Sequence, residues 1–232
     1  MRRASRLFWR SLAILLLAFV LVQTWFLAHV LWWKHNDPTS TRFMRLQLAE
    51  LRQNDPHARL QHDWIAYDRI SVHLKRAVVA AEDDRFMSHN GFDWHGIQQA
   101  IERNRARGAR SAGGSTISQQ LAKNLFLSPK RSYLRKGQEA IITMMIEQTW
   151  DKRRILEVYL NVVEWGEGVF GAEAAARHYF QVSANRLGPA EASRLAVKLP
   201  NPRRYEREFG PRMTVQAERV RQRMRASRIP ED

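Results

Sequence analysis

The chain contains no cysteine among its 232 residues. This absence excludes a disulfide framework and any metal site built on thiolates. The sequence also lacks a series of alternating apolar and polar residues that would predict neighbouring strands, and it has no internal repeat and no low-complexity tract. The fold class that remains is a predominantly helical protein with one compact domain.

One long apolar run is the clearest feature that the sequence does have. Residues 12–33 are almost wholly apolar and are interrupted only by Gln23, Thr24 and His29. At about 1.5 Å per residue, a helix of this length crosses a hydrocarbon layer of roughly 30 Å. The apolar region of a cleaved signal peptide is shorter, about 7 to 15 residues, so we predict a retained transmembrane anchor.

The charge is strongly basic, because 38 basic residues face 23 acidic ones and give a net charge of +15. Arg2, Arg3, Arg6 and Arg10 precede the apolar run, so the positive-inside rule predicts a cytoplasmic segment over residues 1–11 and a domain across the membrane. The remaining basic excess suits an anionic membrane or a phosphate-bearing ligand. No nucleic acid partner is expected for a domain outside the cytoplasm.

Capping residues and apolar spacing predict most of the helices. Ser71 and Asp93 are candidate N-caps, and the helix after Ser71 is predicted to end near position 82. Thr116 and Gln119 have the pattern of a capping box at the start of another helix. Apolar residues at helical spacing predict two long core helices, over residues 132–150 and 151–163.

Five segments form an ordered set of motifs along the domain. They are residues 82–93 (EDDRFMSHNGFD), 113–124 (GGSTISQQLAKN), 135–139 (RKGQE), 152–161 (KRRILEVYLN) and 166–171 (GEGVFG). In this order they resemble the signature motifs of the peptidoglycan glycosyltransferases, glycosyltransferase family 51. Five ordered motifs are hard to match by chance.

The resemblance implies a fold and a division into domains. The implied fold is mainly α, with an N-terminal transmembrane helix followed by a lysozyme-like helical glycosyltransferase domain and a small membrane-proximal lobe. We therefore expect a transmembrane anchor at residues 12–33, a membrane-proximal linker or lobe at 34–60, and the peptidoglycan glycosyltransferase domain at 61–232.

The resemblance also implies a reaction. Members of the family join the growing lipid-linked glycan to lipid II, form a β-1,4 bond and release undecaprenyl pyrophosphate, as a step of cell wall biogenesis. This chemistry needs a base for the attacking sugar hydroxyl and cations at the departing pyrophosphate. Glu82 matches the catalytic glutamate of the first motif, so it is the predicted general base.

The predicted substrate-binding residues lie in the second and third motifs. Lys123 and Arg131 match positions that contact phosphate groups in the family, and Arg135 and Lys136 are expected to add positive potential. Three polar residues of the second motif either hydrogen-bond the substrate or only cap and pack the helix, namely Ser115, Gln119 and Gln120.

Glu139 matches the second acidic residue of the family's catalytic cleft. Two interpretations are open for it. It orients Lys123, Arg131 or the donor substrate, or it coordinates a divalent cation, Mg²⁺ or Mn²⁺, together with the pyrophosphate. The sequence does not separate these interpretations, and no metal site formed by protein side chains alone is predicted.

Two further patterns resemble ligand sites but lack the required context. His89 and His95 flank a predicted glycine turn and lie on no common helical face, which argues against a metal site there. The segment from Gly166 to Gly171 reads G-x-G-x-x-G but follows no predicted strand, so a nucleotide-binding loop is not indicated. We predict a tight turn near the cleft instead.

The expected cellular setting is the bacterial cell inner membrane, with a single-pass anchor and a periplasmic catalytic domain. This follows from the predicted topology and from residues 146–152 (IEQTWDK), which resemble proteobacterial members of the family. No Ser-x-x-Lys and no Lys-Thr-Gly motif occurs, so no transpeptidase domain is expected. The expected partners are lipid II, the growing glycan chain, the membrane, and cell-wall synthesis or divisome proteins.

Two other functions are compatible with parts of this pattern. A membrane-anchored, lysozyme-like glycan hydrolase would also use a pair of carboxylates such as Glu82 and Glu139. It would need a carboxylic acid at the glycosidic oxygen, whereas Lys123 and Arg131 suit a pyrophosphate leaving group better. A non-catalytic scaffold that binds anionic lipid through its basic surface is the second alternative.

Overall fold

A computed structural model describes residues 2–107, 114–130 and 132–230 of the chain. The prediction of a mainly α fold is confirmed. The helices of the described residues are α1 (Arg2–Trp33), α2 (Arg42–Asn54), α3 (Val72–Glu82), α4 (Trp94–Arg107), α5 (Ile117–Phe126), α6 (Tyr133–Thr149), α7 (Lys152–Val162), α8 (Ala172–Phe180), α9 (Pro189–Ala196), α10 (Pro202–Arg207) and α11 (Pro211–Arg223).

The helix starts lie where the capping residues predict them. Ser71 accepts a hydrogen bond from the backbone N–H of His73 at the start of α3. Thr116 and Gln119 form the predicted capping box at the start of α5. The two long helices begin after side-chain caps at Ser132 and Asp151. Each such cap satisfies a backbone N–H that has no partner within its helix.

The core of the domain lies where α5 packs between α6 and α7, and α3 packs against α9. α5 is buried over most of its surface, and Leu121 and Ala122 have no exposed area. Ile142 on α6 and Ile155 on α7 are equally enclosed. Full burial of a side chain such as leucine or isoleucine contributes about 1.5–3 kcal/mol. This packing fixes the second motif, on α5, against the third and the fourth.

A small three-stranded sheet is the main feature that the sequence did not predict. Its strands are β1 (Gln61–His62), β2 (Glu164–Gly166) and β3 (Val169–Phe170), in the order β1-β3-β2. β1 runs parallel to β3, whereas β2 and β3 are antiparallel. Alternation over two or three residues is too short to detect in a sequence, which explains why these strands were missed.

The fifth motif forms the turn between β2 and β3, as the sequence predicted. Gly168 has a φ of +72° and Gly171 a φ of +85°, a region that side chains other than glycine rarely adopt. At Gly171 a Cβ atom would also come within 2.8 Å of the carbonyl oxygen of Asn161. The glycines of this motif therefore serve a tight backbone turn.

The C-terminal part of α1 is docked onto the domain. The side-chain amides of Gln23 and Gln138 exchange two hydrogen bonds, of 3.0 and 2.9 Å, and Trp150 donates its indole N–H to the carbonyl of Val30 at 2.8 Å. Three aromatic rings of α1 pack around Phe126, namely Trp25, Phe26 and Trp33. Residues Arg6–Trp33 are long and apolar enough to span a membrane, which is compatible with membrane anchoring.

The end of α1 is held by one arginine of the fourth motif. Arg154 donates to the carbonyl of Trp33 at 2.9 and 3.1 Å and to the carbonyl of Asn36 at 2.8 Å. It also pairs with Asp37 at 2.9 Å. The last carbonyls of a helix have no partner within the helix, and here a cation on α7 satisfies one of them. The fourth motif therefore connects the C-terminal end of α1 to the rest of the domain.

Candidate active site

A cleft of about 1190 Å³ brings together residues from the first three motifs. All of the predicted site residues that the structure describes line it, and they are Glu82, Ser115, Gln119, Gln120, Lys123, Arg135, Lys136 and Glu139. Arg131, the remaining predicted phosphate contact, lies outside the described residues. Among these predicted residues, the cleft collects two carboxylates and three cations from positions as far apart as 82 and 139.

Glu82 is the last residue of α3 and is partly buried in the cleft. Its Oε2 atom accepts a hydrogen bond of 2.7 Å from Nε2 of Gln120. Burial raises the pKa of Glu82 above its ordinary value, and the Gln120 bond and the charge of Lys123 oppose this rise. A carboxylate whose pKa is raised in this way is a better proton acceptor, as a general base requires.

Asp83 has a structural role beside Glu82. Its Oδ2 atom accepts from the backbone N–H of Ile117 at 3.0 Å, at the start of α5. Its Oδ1 atom accepts from Nε2 of His89 at 2.9 Å. The hydroxyl of Thr116 donates to the carbonyl of Gly91 at 2.7 Å. These bonds tie the first motif to the second and engage His89, so they fix Glu82 relative to α5.

Lys123 is the cation placed most directly in the cleft. It lies on α5 and is partly buried, and its side chain makes no hydrogen bond or ion pair within the described part of the chain. Burial lowers its pKa, while the charges of Glu139 and Glu82 oppose this effect. A buried ammonium without a direct partner is costly unless an anion arrives. Lys123 therefore has its hydrogen-bond donors free for an anionic ligand.

Glu139 is buried, with only 3% of its surface exposed, and it contacts the two other cations. Its Oε2 atom accepts from Arg135 at 2.7 Å, and its Oε1 atom pairs with Lys136. Nε of Arg135 is buried without a partner among the described residues. The carboxylate thus orients Arg135 and Lys136 at the start of α6, and its influence on Lys123 is through charge rather than a direct bond.

The three polar residues of the second motif differ in what they contact. Ser115 is exposed at the edge of the cleft. Gln119 is buried and accepts from the backbone N–H of Thr116, so its carbonyl oxygen serves the capping box. Gln120 bonds Glu82 on one side and accepts from the hydroxyl of Tyr159 at 3.0 Å on the other.

Tyr159 is the residue of this site that the sequence reasoning missed. It lies on α7 with no exposed surface, within the fourth motif, and it was not among the predicted site residues. A buried tyrosine hydroxyl usually has a hydrogen-bond partner, so the position of Tyr159 on a buried helical face was a signal that could have been used.

Another part of the cleft lining also was not predicted. Phe43, Gln47 and Glu50 on α2 line it, together with Glu164 and Arg203. Burial raises the pKa of Glu164, and Arg203, which donates to it at 2.9 Å, opposes the rise. α2 also packs against α5. Part of the segment predicted as linker or lobe is thus cleft wall, and the boundary between 34–60 and 61–232 stays a prediction.

Comparison with known proteins adds independent evidence to this geometry. Residues 48–227 match the model of the family described as Transglycosylase, which is more than half of the chain. The chain belongs to the transglycosylase family. The prediction from the five motifs is thereby confirmed, and the activity of the family is glycosyl transfer.

Three relatives match this transglycosylase over nearly its whole length. It is similar to the biosynthetic peptidoglycan transglycosylase of Aromatoleum aromaticum, with 62% identity over 99% of this chain and 100% of the relative. The protein of the same name from Azoarcus sp. is 64% identical over 96% of this chain and 98% of its own. That from Methylobacillus flagellatus is 55% identical over 97% and 99%.

Proposed function

We propose that this transglycosylase polymerises lipid II into β-1,4-linked glycan strands of peptidoglycan, with Glu82 as the general base. The observation that carries the proposal is the joint presence of a partly buried carboxylate and three cations in one cleft. Glycosyl transfer from a pyrophosphate donor needs both groups, the carboxylate at the acceptor hydroxyl and the cations at the leaving group.

In the proposed step, the 4-hydroxyl oxygen of the acceptor sugar attacks the anomeric carbon of the donor. The new C–O bond forms as the bond from that carbon to the pyrophosphate breaks. The proton of the hydroxyl goes to Glu82, and the bonding electron pair leaves with undecaprenyl pyrophosphate. Because the raised pKa of Glu82 makes it a stronger base, the proton has an acceptor within the cleft.

The leaving group gains negative charge as its bond breaks. Lys123, Arg135 and Lys136 line the same cleft and supply positive charge to it. Lys123 has no partner in the described part of the chain, and Arg135 keeps one buried N–H without a partner there. Fixed cations of this kind stabilise a developing charge without reorganising during the reaction. A general acid at the leaving oxygen is therefore unnecessary.

A Mg²⁺ or Mn²⁺ ion bound with the pyrophosphate stays a prediction, and Glu139 is the side chain that would hold it. Such an ion would neutralise phosphate charge. The donor set fits it poorly, because both oxygens of Glu139 already accept from Arg135 and Lys136. Among the described residues there is also no group of three or more side chains suited to bind a metal. We therefore derive no step through a metal ion.

The membrane setting follows from α1. We propose a single-pass anchor in the bacterial inner membrane, with residues 1–11 cytoplasmic and the domain periplasmic, because four arginines precede the apolar run. The part of α1 that contacts the domain, from Gln23 to Trp33, is about 15 Å long, roughly half of the hydrocarbon layer. The edge of the domain that contacts this part of α1 would then lie partly inside the membrane.

A second cavity of about 960 Å³ lies between α1 and α6 and suits the lipid chain of the substrate. Its lining includes Phe19 and Trp25 of the apolar run, and it shares Tyr133 and Arg135 with the catalytic cleft. Tyr133 and its neighbour Leu134 are 99% and 89% exposed, as expected for side chains that face lipid. A photoreactive amino acid at Phe19 should crosslink to a lipid II analogue and should do so less with excess unlabelled lipid II.

The test of the proposed function is polymerisation of labelled lipid II by the full chain in detergent. Wild type should form a polymer that muramidase digests, and Glu82→Gln should form none, although Gln keeps the size of the side chain. Glu102→Gln, at an exposed position on α4, is the matched control and should behave as wild type. Absence of polymer from folded wild type, across a range of divalent cations, would refute the proposal.

Two measurements on the same proteins separate the alternatives. Release of reducing sugar from finished cell wall would indicate a hydrolase, and activity retained in Glu82→Gln would indicate a role that does not use the carboxylate. Cell-wall synthesis or divisome proteins stay predicted partners.

A further inference from the structure

A line of hydrogen bonds runs from the core of the domain to the carboxylate in the cleft. The hydroxyl of Tyr159 donates to Oε1 of Gln120 at 3.0 Å, and Nε2 of the same amide donates to Oε2 of Glu82 at 2.7 Å. Tyr159 has no exposed surface, whereas Gln120 and Glu82 line the cleft. The three residues belong to the fourth, second and first motifs.

The direction of these bonds depends on the tyrosine. A glutamine amide has a donor end and an acceptor end, and rotation by half a turn exchanges them. An ionised carboxylate only accepts, so Gln120 stabilises ionised Glu82 only when Nε2 faces it. The hydroxyl of Tyr159 could accept from a turned amide, but its own hydrogen would then be buried with no other acceptor among the described residues, and this cost opposes the exchange. The tyrosine thus selects the orientation of Gln120 that suits an ionised Glu82.

We propose that Tyr159 is a positioning residue for catalysis, which acts by holding the amide of Gln120 with its donor end towards Glu82. This role rests on the proposed function of Glu82 as general base. Tyr159 does not reach the substrate, since it is fully buried. Its contribution is therefore to the protonation state of Glu82 and not to substrate affinity.

Few other charges act on Glu82. Lys123 on α5 stabilises its ionised form, and Asp83 beside it opposes ionisation. Arg223 on α11 donates a hydrogen bond to the carbonyl of Ala80 on α3. The buried side chains of α9, which packs against α3, are not titratable, and they are Ala192, Ser193, Leu195 and Ala196. The amide of Gln120 is thus the neutral group that stabilises ionised Glu82, and it does so only while its Nε2 atom faces the carboxylate.

The variant Tyr159→Phe removes the hydroxyl and leaves the ring. The amide of Gln120 is then free to turn and present its oxygen to Glu82, which favours the protonated carboxyl and raises the pKa of Glu82. The acidic limb of the kcat/KM profile for lipid II polymerisation should move to higher pH by about one unit. Activity should approach that of wild type at alkaline pH, and KM should stay unchanged.

Tyr67→Phe is the matched control, because Tyr67 is also buried and donates its hydroxyl to a backbone carbonyl, that of Pro230, at 2.8 Å. It should lose stability without moving the acidic limb. Gln120→Met is the second variant. It keeps the length of the side chain and removes the donor, so its limb should move in the same direction and at least as far as that of Tyr159→Phe.

Thermal unfolding of each variant shows whether it is folded at the assay temperature. The proposal is refuted when a folded Tyr159→Phe has the acidic limb of wild type, or when its only change is a higher KM. If Tyr159→Phe does not fold, an unshifted limb in Gln120→Met refutes it equally. Failure of wild type to polymerise lipid II would instead overturn the proposed function, so the two failures are distinguishable.

Discussion

Lys123 is the residue at which we expect a substitution to affect the stability and the activity of this protein most differently. It is a partly buried cation that lines the cleft, and it makes no hydrogen bond or ion pair within the described residues. Burial lowers its pKa, so the folded protein bears a cost for keeping it charged at neutral pH. Replacement by methionine keeps the unbranched shape and removes the charge.

The expected effects of Lys123→Met on stability and on activity differ in sign. The variant loses the desolvation cost of the ammonium, but Glu82 and Glu139 lose a favourable charge. Glu139 keeps Arg135 and Lys136, so the net change in unfolding free energy should lie between zero and a gain of about 1 kcal/mol. Loss of one fixed charge at the leaving group should reduce kcat by about 10²–10³-fold.

The assays are chemical unfolding in detergent and the initial rate of lipid II polymerisation over a range of pH. Lys130→Met is the control, since Lys130 is exposed and lies close in sequence, and it should change stability by less than about 0.5 kcal/mol. Raising the pH should restore only a small part of the lost activity in Lys123→Met, because the missing cation is not replaced. A rate within threefold of wild type, or a loss of more than about 2 kcal/mol in stability, would refute the reasoning.

Three further predictions concern the first motif and the anchor. Burial raises the pKa of Glu82, so ionisation of its carboxyl destabilises the fold as the pH rises through that raised pKa. The variant Glu82→Gln should therefore unfold at a higher temperature than wild type at pH 7.5. The difference should vanish in acid, below the ordinary pKa of a glutamate. Asp83→Asn weakens the bond to the backbone N–H of Ile117 and should cost about 2 kcal/mol in urea unfolding, whereas an unchanged midpoint would contradict that role. A double-mutant cycle of Gln23→Leu and Gln138→Leu should give a coupling energy of about 0.6 kcal/mol, and a value near zero would mean that the amide pair does not hold the anchor.

The sequence predicted the elements whose signals are local. The caps at Ser71 and Thr116 lie within a few residues of the groups they bond, so spacing alone reveals them. The apolar helix α1 is equally visible in the sequence, because its apolar run is long. The strands of the small sheet were missed because each is very short and pairs with partners distant in the chain, such as Gln61 with Val169.

The features of the candidate site also divide into those that the sequence predicted and those that it did not. The first three motifs supplied the predicted site residues, and the structure gathers all of these that it describes into one cavity. The motifs did not show that Asp83 caps α5 or that Arg154 holds the end of α1, since each of these bonds joins residues distant in the chain. The wall that α2 contributes was not predicted either, because nothing in its sequence marks a cleft.

The sequence by itself determined the family, the helical fold and the long apolar N-terminal helix, because motif order, helical periodicity and apolar length are properties of the chain in one dimension. Only the tertiary structure decided what each polar group contacts. Packing of α5 against α7 places Tyr159 under Gln120, and Gln120 beside Glu82. The protonation of a carboxylate depends on burial and on the atoms within hydrogen-bond distance, and both are fixed by packing in three dimensions.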